Sequence, residues 1–180
     1  MRASTLPLLA LVASLAATPV LAQGTYKPGP ENVPWPADYP TKFIRFATVD
    51  KAERKIVRFL YVNPEAFAAA KKNSEAPDGT TLIMEDHAAR LGPDGMPLLD
   101  LSGRFIPNPA VTAVFVQEKQ KGWGEGYPDA IRNGEWEYAR FNPDGTRHTG
   151  PVEACFTCHK GSRAGKDFEF VFWDYVGARK

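Results

Sequence analysis

Cysteine is scarce in this sequence, which contains only Cys155 and Cys158 among its 180 residues. A zinc site needs about four ligands, so two cysteines argue against one. A redox-active Cys-x-x-Cys pair is typical of a thioredoxin-like βαβ unit, and the neighbouring sequence does not have that pattern. An ordinary disulfide has poor geometry at this spacing. These exclusions leave another role for the two thiols.

The sequence also lacks a strong excess of charge, since 22 basic and 21 acidic residues give a formal net charge of +1. Proteins that bind nucleic acid or dock on acidic surfaces generally carry a positive patch, so the composition argues against both functions. The chain has no internal repeat at solenoid spacing and no low-complexity block. Its length predicts one domain with a core of its own.

The two cysteines belong to the run C-F-T-C-H at residues 155–159. Cys-x-x-Cys-His is the attachment pattern of a c-type haem. Two cysteines three positions apart on a helical turn can each form a thioether with one haem vinyl group, and the histidine that follows can bind the iron. The sequence therefore predicts one haem c, attached through Cys155 and Cys158, with His159 as the metal ligand.

The first 22 residues are typical of a signal peptide. Arg2 precedes an apolar stretch rich in Leu and Ala, which ends in a small-residue cleavage pattern at Ala22. The stretch is short for a membrane span, and Pro19 interrupts its end. Export agrees with the haem motif because bacteria attach c-type haem outside the cytoplasm. The predicted location is therefore the periplasm.

The mature chain divides into two parts by composition. Residues 23–40 are rich in proline and poor in apolar side chains, which predicts an extended N-terminal segment along the surface. Residues 41–180 are predicted to form a single haem-binding domain.

Most of the domain has the pattern of strands. Short runs rich in β-branched and aromatic residues, bounded by Gly, Pro or Asn, predict strands at residues 56–62, 80–86, 111–117 and 136–141. One helix is predicted from Asn63 to Lys72, with Asn63 as its N-cap and Pro64 at its first position. A second short helix must carry the haem motif. The predicted fold class is α+β, mainly an antiparallel β-sheet with a few short helices, and the haem lies on a C-terminal helical turn.

Two common classes of c-type cytochrome do not fit this pattern. Small electron-transfer cytochromes of the mitochondrial type take a methionine ligand from beyond the motif, and no Met or His follows His159 here. Four-helix cytochromes place the motif near the C-terminus, as here, but the rest of this chain lacks helical periodicity.

The chain resembles the cytochrome P-460 and cytochrome c′-beta family of β-rich periplasmic monohaem proteins. The similar pieces lie in order over roughly residues 40–175: V-R-F-L-Y-V-N-P-E at 57–65, A-P-D-G-T at 76–80, V-F-V-Q-E-K-Q at 114–120, G-E-W-E-Y-A-R-F at 134–141, C-F-T-C-H-K at 155–160 and D-F-E-F-V-F at 167–172. The resemblance implies a homodimer whose haem iron has His159 on one side and an open site on the other. Members of the family oxidise hydroxylamine or bind nitric oxide.

The resemblance also suggests roles for single residues. P-460 members have a lysine joined to the haem ring and a distal carboxylate, whereas c′-beta members have an apolar distal face. Arg58 matches an arginine of the P-460 members, but the lysine position falls at Met84 and the carboxylate position falls near Phe115. The resemblance therefore implies the apolar, c′-beta-like pocket.

Several residues are candidates for the distal side of the haem. In a strand from Thr80 to Asp86, Met84 and Asp86 share one face. Met84 could pack on the ring, ligate the iron or become attached to the haem, and packing is the ordinary role of such a methionine. Asp86 could replace the missing carboxylate as acid or base, with Arg58 as the second candidate catalytic residue. Phe59, Phe105 and Phe115 are the candidate distal aromatic residues.

The sequence thus predicts an exported monohaem cytochrome that binds or detoxifies nitric oxide or a related small nitrogen species. Two alternatives remain open: a hydroxylamine-oxidising enzyme that uses Asp86, and an electron carrier with His159 and Met84 as axial ligands. The expected partners are the small nitrogen ligand, a redox partner protein and a second copy of the chain.

Overall fold

The computed structural model describes residues 29–71 and 75–178. These residues form one five-stranded antiparallel sheet in which each strand lies beside the next strand of the chain. The strands are β1 (Ile44–Lys51), β2 (Ile56–Val62), β3 (Thr81–Ala89), β4 (Pro107–Lys119) and β5 (Trp136–Phe141). The predicted α+β class, with a mainly antiparallel sheet and a few short helices, is confirmed.

Short helices flank the sheet. The α-helices are α1 (Tyr39–Lys42), α2 (Pro64–Ala69), α3 (Glu153–Arg163) and α4 (Val171–Ala178). Single 3-10 turns lie at Pro30–Asn32, Ala52–Arg54, Trp123–Gly126 and Ala164–Lys166. Within the described ranges, no helix has both the length and the apolar character needed to cross a membrane. The predicted signal peptide at residues 1–22 lies outside those ranges.

The structure agrees with some predicted boundaries and extends others. β2 and β5 have the predicted bounds, β3 and β4 are longer, and β1 was not predicted. The predicted helix 63–72 is shorter in the structure, where α2 ends at Ala69. Asn63 precedes α2 but makes no capping bond, because its Oδ1 accepts the backbone N–H of Thr81 at 2.9 Å. Asn63 therefore ties α2 to β3. Lys72 lies outside the described residues.

One face of the sheet, here called the core face, packs against the chain that precedes β1. Val33 is fully buried and Tyr39 is nearly so, and both belong to the cluster that contains Ile83, Val114 and Phe141. Gly29 also donates its backbone N–H to Glu137 Oε1 at 3.3 Å. Residues 29–39 therefore contribute to the main hydrophobic core.

A buried polar network crosses the core face. Glu85 accepts hydrogen bonds from the hydroxyl groups of Tyr39 and Tyr61, and it pairs with His87 Nε2 at 2.8 Å. His87 Nδ1 donates to the carbonyl of Asn108 at 2.8 Å, so both ring nitrogens have partners. His87 is only 5% exposed, and its side chain lies on the core face beside Glu85. It is therefore part of the scaffold of the core face.

The opposite face, here called the cavity face, is covered by α3 and α4. The strand register places Leu60, Met84 and Phe115 side by side on this face. Phe172 of α4 contacts Phe46 of β1 edge to face, with ring centroids 5.3 Å apart. Phe156 of α3 contacts Tyr138 of β5 in the same way at 4.7 Å. These aromatic contacts hold α3 and α4 over the sheet and leave a space between the two helices and the cavity face.

Candidate functional site

A cavity of about 490 Å³ lies between the cavity face and the segment that carries α3 and the start of α4. This volume is within the usual range for sites that bind small molecules or cofactors. The sheet supplies mostly apolar side chains, among them Val49, Leu60, Leu82, Met84 and Phe115. The helical segment supplies sulfur and nitrogen donors together with aromatic side chains.

Helix α3 presents the C-F-T-C-H motif to this cavity. Cys155, Cys158 and His159 all line it. Residues three positions apart lie on one side of a helix, so the two thiols reach the same space. Both cysteines are free, Cys155 is half-buried and Cys158 is exposed. Burial raises the pKa of the Cys155 thiol, which keeps it protonated at neutral pH.

The ring of His159 is held in one orientation. Its Nδ1 donates to the carbonyl oxygen of Phe168 at 2.5 Å. The ring also packs against Tyr138 and Phe170, each with centroids 4.9 Å away. Burial lowers the pKa of His159, which favours the neutral imidazole. Because Nδ1 carries the proton, Nε2 has a free lone pair for a metal.

The loop that carries Phe168 adopts an unusual backbone conformation. Asp167 and Phe168 have φ angles of 50° and 60°, in the left-handed region that non-glycine residues rarely occupy. Asp167 offsets this strain, because its Oδ2 accepts the backbone N–H of Ala76 at 2.8 Å and the ammonium of Lys119 at 3.0 Å. These bonds fix the loop beneath His159.

The sheet side of the cavity has an apolar centre. Met84 and Phe115 lie opposite each other on β3 and β4, and Leu60 lies opposite Met84 on β2. The guanidinium of Arg140 lies over the Phe115 ring, 5.4 Å from its centroid. This arrangement would pack well against an apolar macrocycle.

Arg58 and Asp86 form a closed ion pair on the same face. Arg58 Nε and Nη2 donate to the two carboxylate oxygens of Asp86 at 2.7 and 2.9 Å. Arg54 Nη1 lies 3.9 Å from the same carboxylate. The side chain of Asp86 is only 3% exposed, and Arg58 lines the cavity whereas Asp86 lies behind it. Asp86 therefore acts as an anchor for arginine rather than as a group facing the cavity.

The structure brings six of the nine residues that the sequence suggested to one cavity, and Asp86, Phe59 and Phe105 do not line it. Those that line the common cavity are Arg58, Met84, Phe115, Cys155, Cys158 and His159. Among the candidate distal aromatics, only Phe115 lines it. Phe59 lies on the core face against His87, with centroids 4.8 Å apart.

Sequence reasoning missed several lining residues. They are Lys51, Arg54, Leu60, Gln117, Tyr138 and Phe170. A signal existed for Leu60 and Gln117, because each lies two positions from a predicted site residue on the same strand. Lys51 ends β1 and Arg54 lies in the turn that follows, and neither position carries a comparable pattern.

The residues present fit a c-type haem. Two thiols at the required spacing, an imidazole with a defined tautomer and an apolar cavity meet in one place. The cavity face would contact the ring, and α3 would hold its edge and its iron.

Comparison with known families agrees with this geometry. A family model described as Cytochrome P460 matches residues 36–172. The matched region contains all five strands, α3 and the start of α4. A comparison with curated proteins finds no match.

Proposed function

Because the chain belongs to the cytochrome P460 family, which implies haem c, we propose that it is an exported c-type cytochrome that binds or detoxifies nitric oxide. A related small nitrogen species is an equivalent ligand in this proposal. The single observation that carries it is the common cavity, in which Cys155, Cys158 and His159 meet the apolar wall of Met84 and Phe115.

In this proposal, the protein attaches one haem through α3. Each thiol of Cys155 and Cys158 adds across one vinyl double bond, so that a carbon–sulfur bond forms and the thiol hydrogen moves to the other vinyl carbon. His159 Nε2 would bind the haem iron, and the Phe168 carbonyl orients the imidazole through Nδ1. When bound, the haem supplies an iron that takes up a diatomic ligand and changes by one electron.

The cavity wall favours an uncharged ligand at its centre. Leu60, Met84 and Phe115 offer no charged group, so they would exclude water while admitting a small apolar gas. A haem bound here would be five-coordinate, because this wall offers no protein ligand other than the sulfur of Met84 on the side of the sheet. Packing against the ring is the role we assign to Met84.

Hydroxylamine oxidation is less well supported by the geometry. That reaction needs a base close to the ligand, and Asp86 is bound by Arg58 and lies behind it. The electron-carrier alternative requires the sulfur of Met84 to reach the iron. Both alternatives make distinct spectroscopic predictions.

Visible spectra of the purified full chain test the proposed function. We expect a ferrous high-spin spectrum that changes when nitric oxide is added. A ferrous Soret band shifted strongly to the red would indicate a modified ring and support the oxidising enzyme. A ferrous low-spin form that ignores added ligands would instead identify an electron carrier.

Haem attachment is tested separately. A haem stain after denaturing electrophoresis should be positive for the wild type and negative when Cys155 and Cys158 are both changed to Ser. A colourless wild-type band would contradict the assignment of a covalent haem.

We further propose that the protein works in the periplasm as a homodimer with a redox partner protein. Sedimentation equilibrium of the haem-loaded chain should give twice the mass of one chain. Cell fractionation should recover the haem protein with the periplasmic contents, and a cytoplasmic location would contradict export.

A further inference from the structure

Three cations line one part of the cavity. Arg58 comes from β2, Lys51 ends β1, and Arg54 belongs to the turn that connects the two strands. Val49 lies opposite Arg58, and Lys51 lies opposite Ile56, so the register places Lys51 one step beyond Arg58 on the cavity face. The cations therefore follow one another along the sheet.

This cluster lies at the far end of the cavity from His159. The His159 ring packs on Tyr138, which is in register with Gln117 and Leu82. Asp86, the partner of Arg58, follows Leu82 by four positions on β3. Four residues of a strand span about 13 Å, which is the separation between the two ends of the cavity along the sheet. The apolar residues Leu60, Met84 and Phe115 occupy the step between.

The charges in the cluster do not balance. Arg58, Arg54 and Lys51 bring three positive charges, and Asp86 is the carboxylate that Arg58 and Arg54 share. Arg58 is only 13% exposed at its side chain, and Asp86 engages two of its five N–H donors. Within the described residues, the Nη1 group of Arg58 has no hydrogen-bond acceptor. A mostly buried guanidinium with unused donors beside two further cations favours a bound anion.

From this arrangement, and resting on the proposed haem function, we propose that Lys51, Arg54 and Arg58 form an anion site at the end of the cavity opposite His159. The guanidinium fork matches a planar monoanion, so the site takes a carboxylate or a small oxyanion of the nitrite type. The carboxylate would be a haem propionate, and the oxyanion would be a free ligand that enters this end of the cavity. Asp86 is a positioning residue that holds the two arginines toward the cavity.

The test compares a Lys51→Gln/Arg54→Gln double variant with the wild type, both as full haem-loaded chains. Lys121→Gln is the matched control, because Lys121 is exposed and follows β4 at the opposite end of the sheet. The probes are nitrite and azide for the ferric protein and carbon monoxide for the ferrous protein. The midpoint potential is measured without added anion, at low and at high salt.

If the site takes a free oxyanion, the double variant should bind nitrite and azide about tenfold more weakly. Its affinity for carbon monoxide and its midpoint potential should stay at the wild-type values. If the site takes a propionate, the midpoint potential should fall, and the fall should shrink at high salt. Nitrite and carbon monoxide binding should then change together by less than threefold.

Unchanged anion affinity together with an unchanged potential would overturn the proposal, as would an equal effect of Lys121→Gln. The haem stain separates this failure from a failure of the proposed function. A chain that carries haem but shows no effect disproves the anion site alone, whereas a chain without haem disproves both.

Discussion

Under the proposed function, Met84 is the residue whose chemistry separates the three candidate functions. It lies between Leu60 and Phe115 in the register of the sheet and lines the cavity together with His159. A thioether can fill apolar space or donate to iron, and the apolar surroundings favour packing. This role predicts that the shape of the side chain matters and that its sulfur does not.

Substitution of Met84 should therefore change how large a ligand the cavity accepts, and it should leave the spin state of the iron unchanged. We expect Met84→Ala to bind imidazole, a bulky ligand, about tenfold more tightly than the wild type, because several methylene-sized groups leave the wall. Met84→Leu preserves the volume and should behave like the wild type. Spectrophotometric titration measures both affinities. A change from a low-spin wild type to a high-spin Met84→Leu protein would show instead that the sulfur ligates the iron.

Sequence alone could identify the donors at this scale but not their surroundings. The C-F-T-C-H spacing predicts three residues of the site directly, and strand parity places Met84 and Asp86 on one face. It does not show that Asp86 is bound by Arg58, since that pair joins residues on neighbouring strands. The residue type of Phe59 suits the distal side of a haem, so the sequence could not exclude it as a candidate. Only the strand register, which pairs Phe59 with Glu85, shows that it lies on the core face.

At the scale of elements, the loop between α3 and α4 determines the position of the proposed iron ligand. Its two residues with positive φ direct the Phe168 carbonyl at His159. Asp167 holds this loop to β4 through Lys119, and the side chains of both residues are 6% exposed. Loss of Asp167 would leave the buried Lys119 ammonium with the exposed Glu75 carboxylate, 3.7 Å away, in place of a buried partner.

Asp167→Ala should therefore reduce the free energy of unfolding by about 3 kcal/mol. The double variant Asp167→Ala/Lys119→Met should recover part of that loss, because the buried ammonium that has lost its closer partner is also removed. Asp167→Asn is the matched control, since it keeps an acceptor for the Ala76 N–H and tolerates the left-handed conformation. Urea denaturation followed by circular dichroism measures all three. Strictly additive losses would contradict the proposed coupling.

Elements with a clear strand pattern in the sequence were predictable. The sequences of β1 and α4 obscure their secondary structure for physical reasons. The β-branched and aromatic composition of β2 and β5 predicts their bounds. β1 contains an irregular register between Arg45 and Ala47, which breaks strand alternation in its sequence. Helix α4 reads V-F-W-D-Y-V-G-A, a composition that resembles a strand.

At the scale of the whole molecule, residues 29–39 complete the core face and bury a carboxyl group. Glu137 is fully buried, and burial raises its pKa to about 7. Its Oε1 accepts bonds from Gly29, Asn32 and Tyr127. The folded state therefore holds a proton on Glu137 more tightly than the unfolded state does.

This raised pKa predicts that stability falls as the pH rises. The contribution of Glu137 is fully present below about pH 4.5 and is lost as the pH rises through about 7, a change of about 3 kcal/mol. Glu169, whose pKa is raised well above 4.5 by burial, acts in the same direction. Urea titrations at pH 5, 6.5 and 8 should show the decline, and Glu137→Gln should flatten it. An equal slope in both proteins would contradict this assignment.

The attachment of residues 29–39 also depends on the network around Glu85. Tyr39→Phe removes one hydroxyl donor to this carboxylate and should lower the free energy of unfolding by about 1.5 kcal/mol. Because the network lies on the core face, the visible spectrum should stay unchanged. Denaturation and absorbance of the same preparation check both expectations. A shifted Soret band would mean that the two faces of the sheet are coupled.

The order of the cavity walls along the chain has a consequence for assembly. All five strands precede Cys155, so the sheet side of the cavity can form from a segment of the chain that ends before the cysteines. The sheet can then pair through contacts between strands adjacent in sequence while the two thiols are still accessible. The proposed attachment of haem at the two cysteines would then join α3 to a wall that the earlier part of the chain has already built.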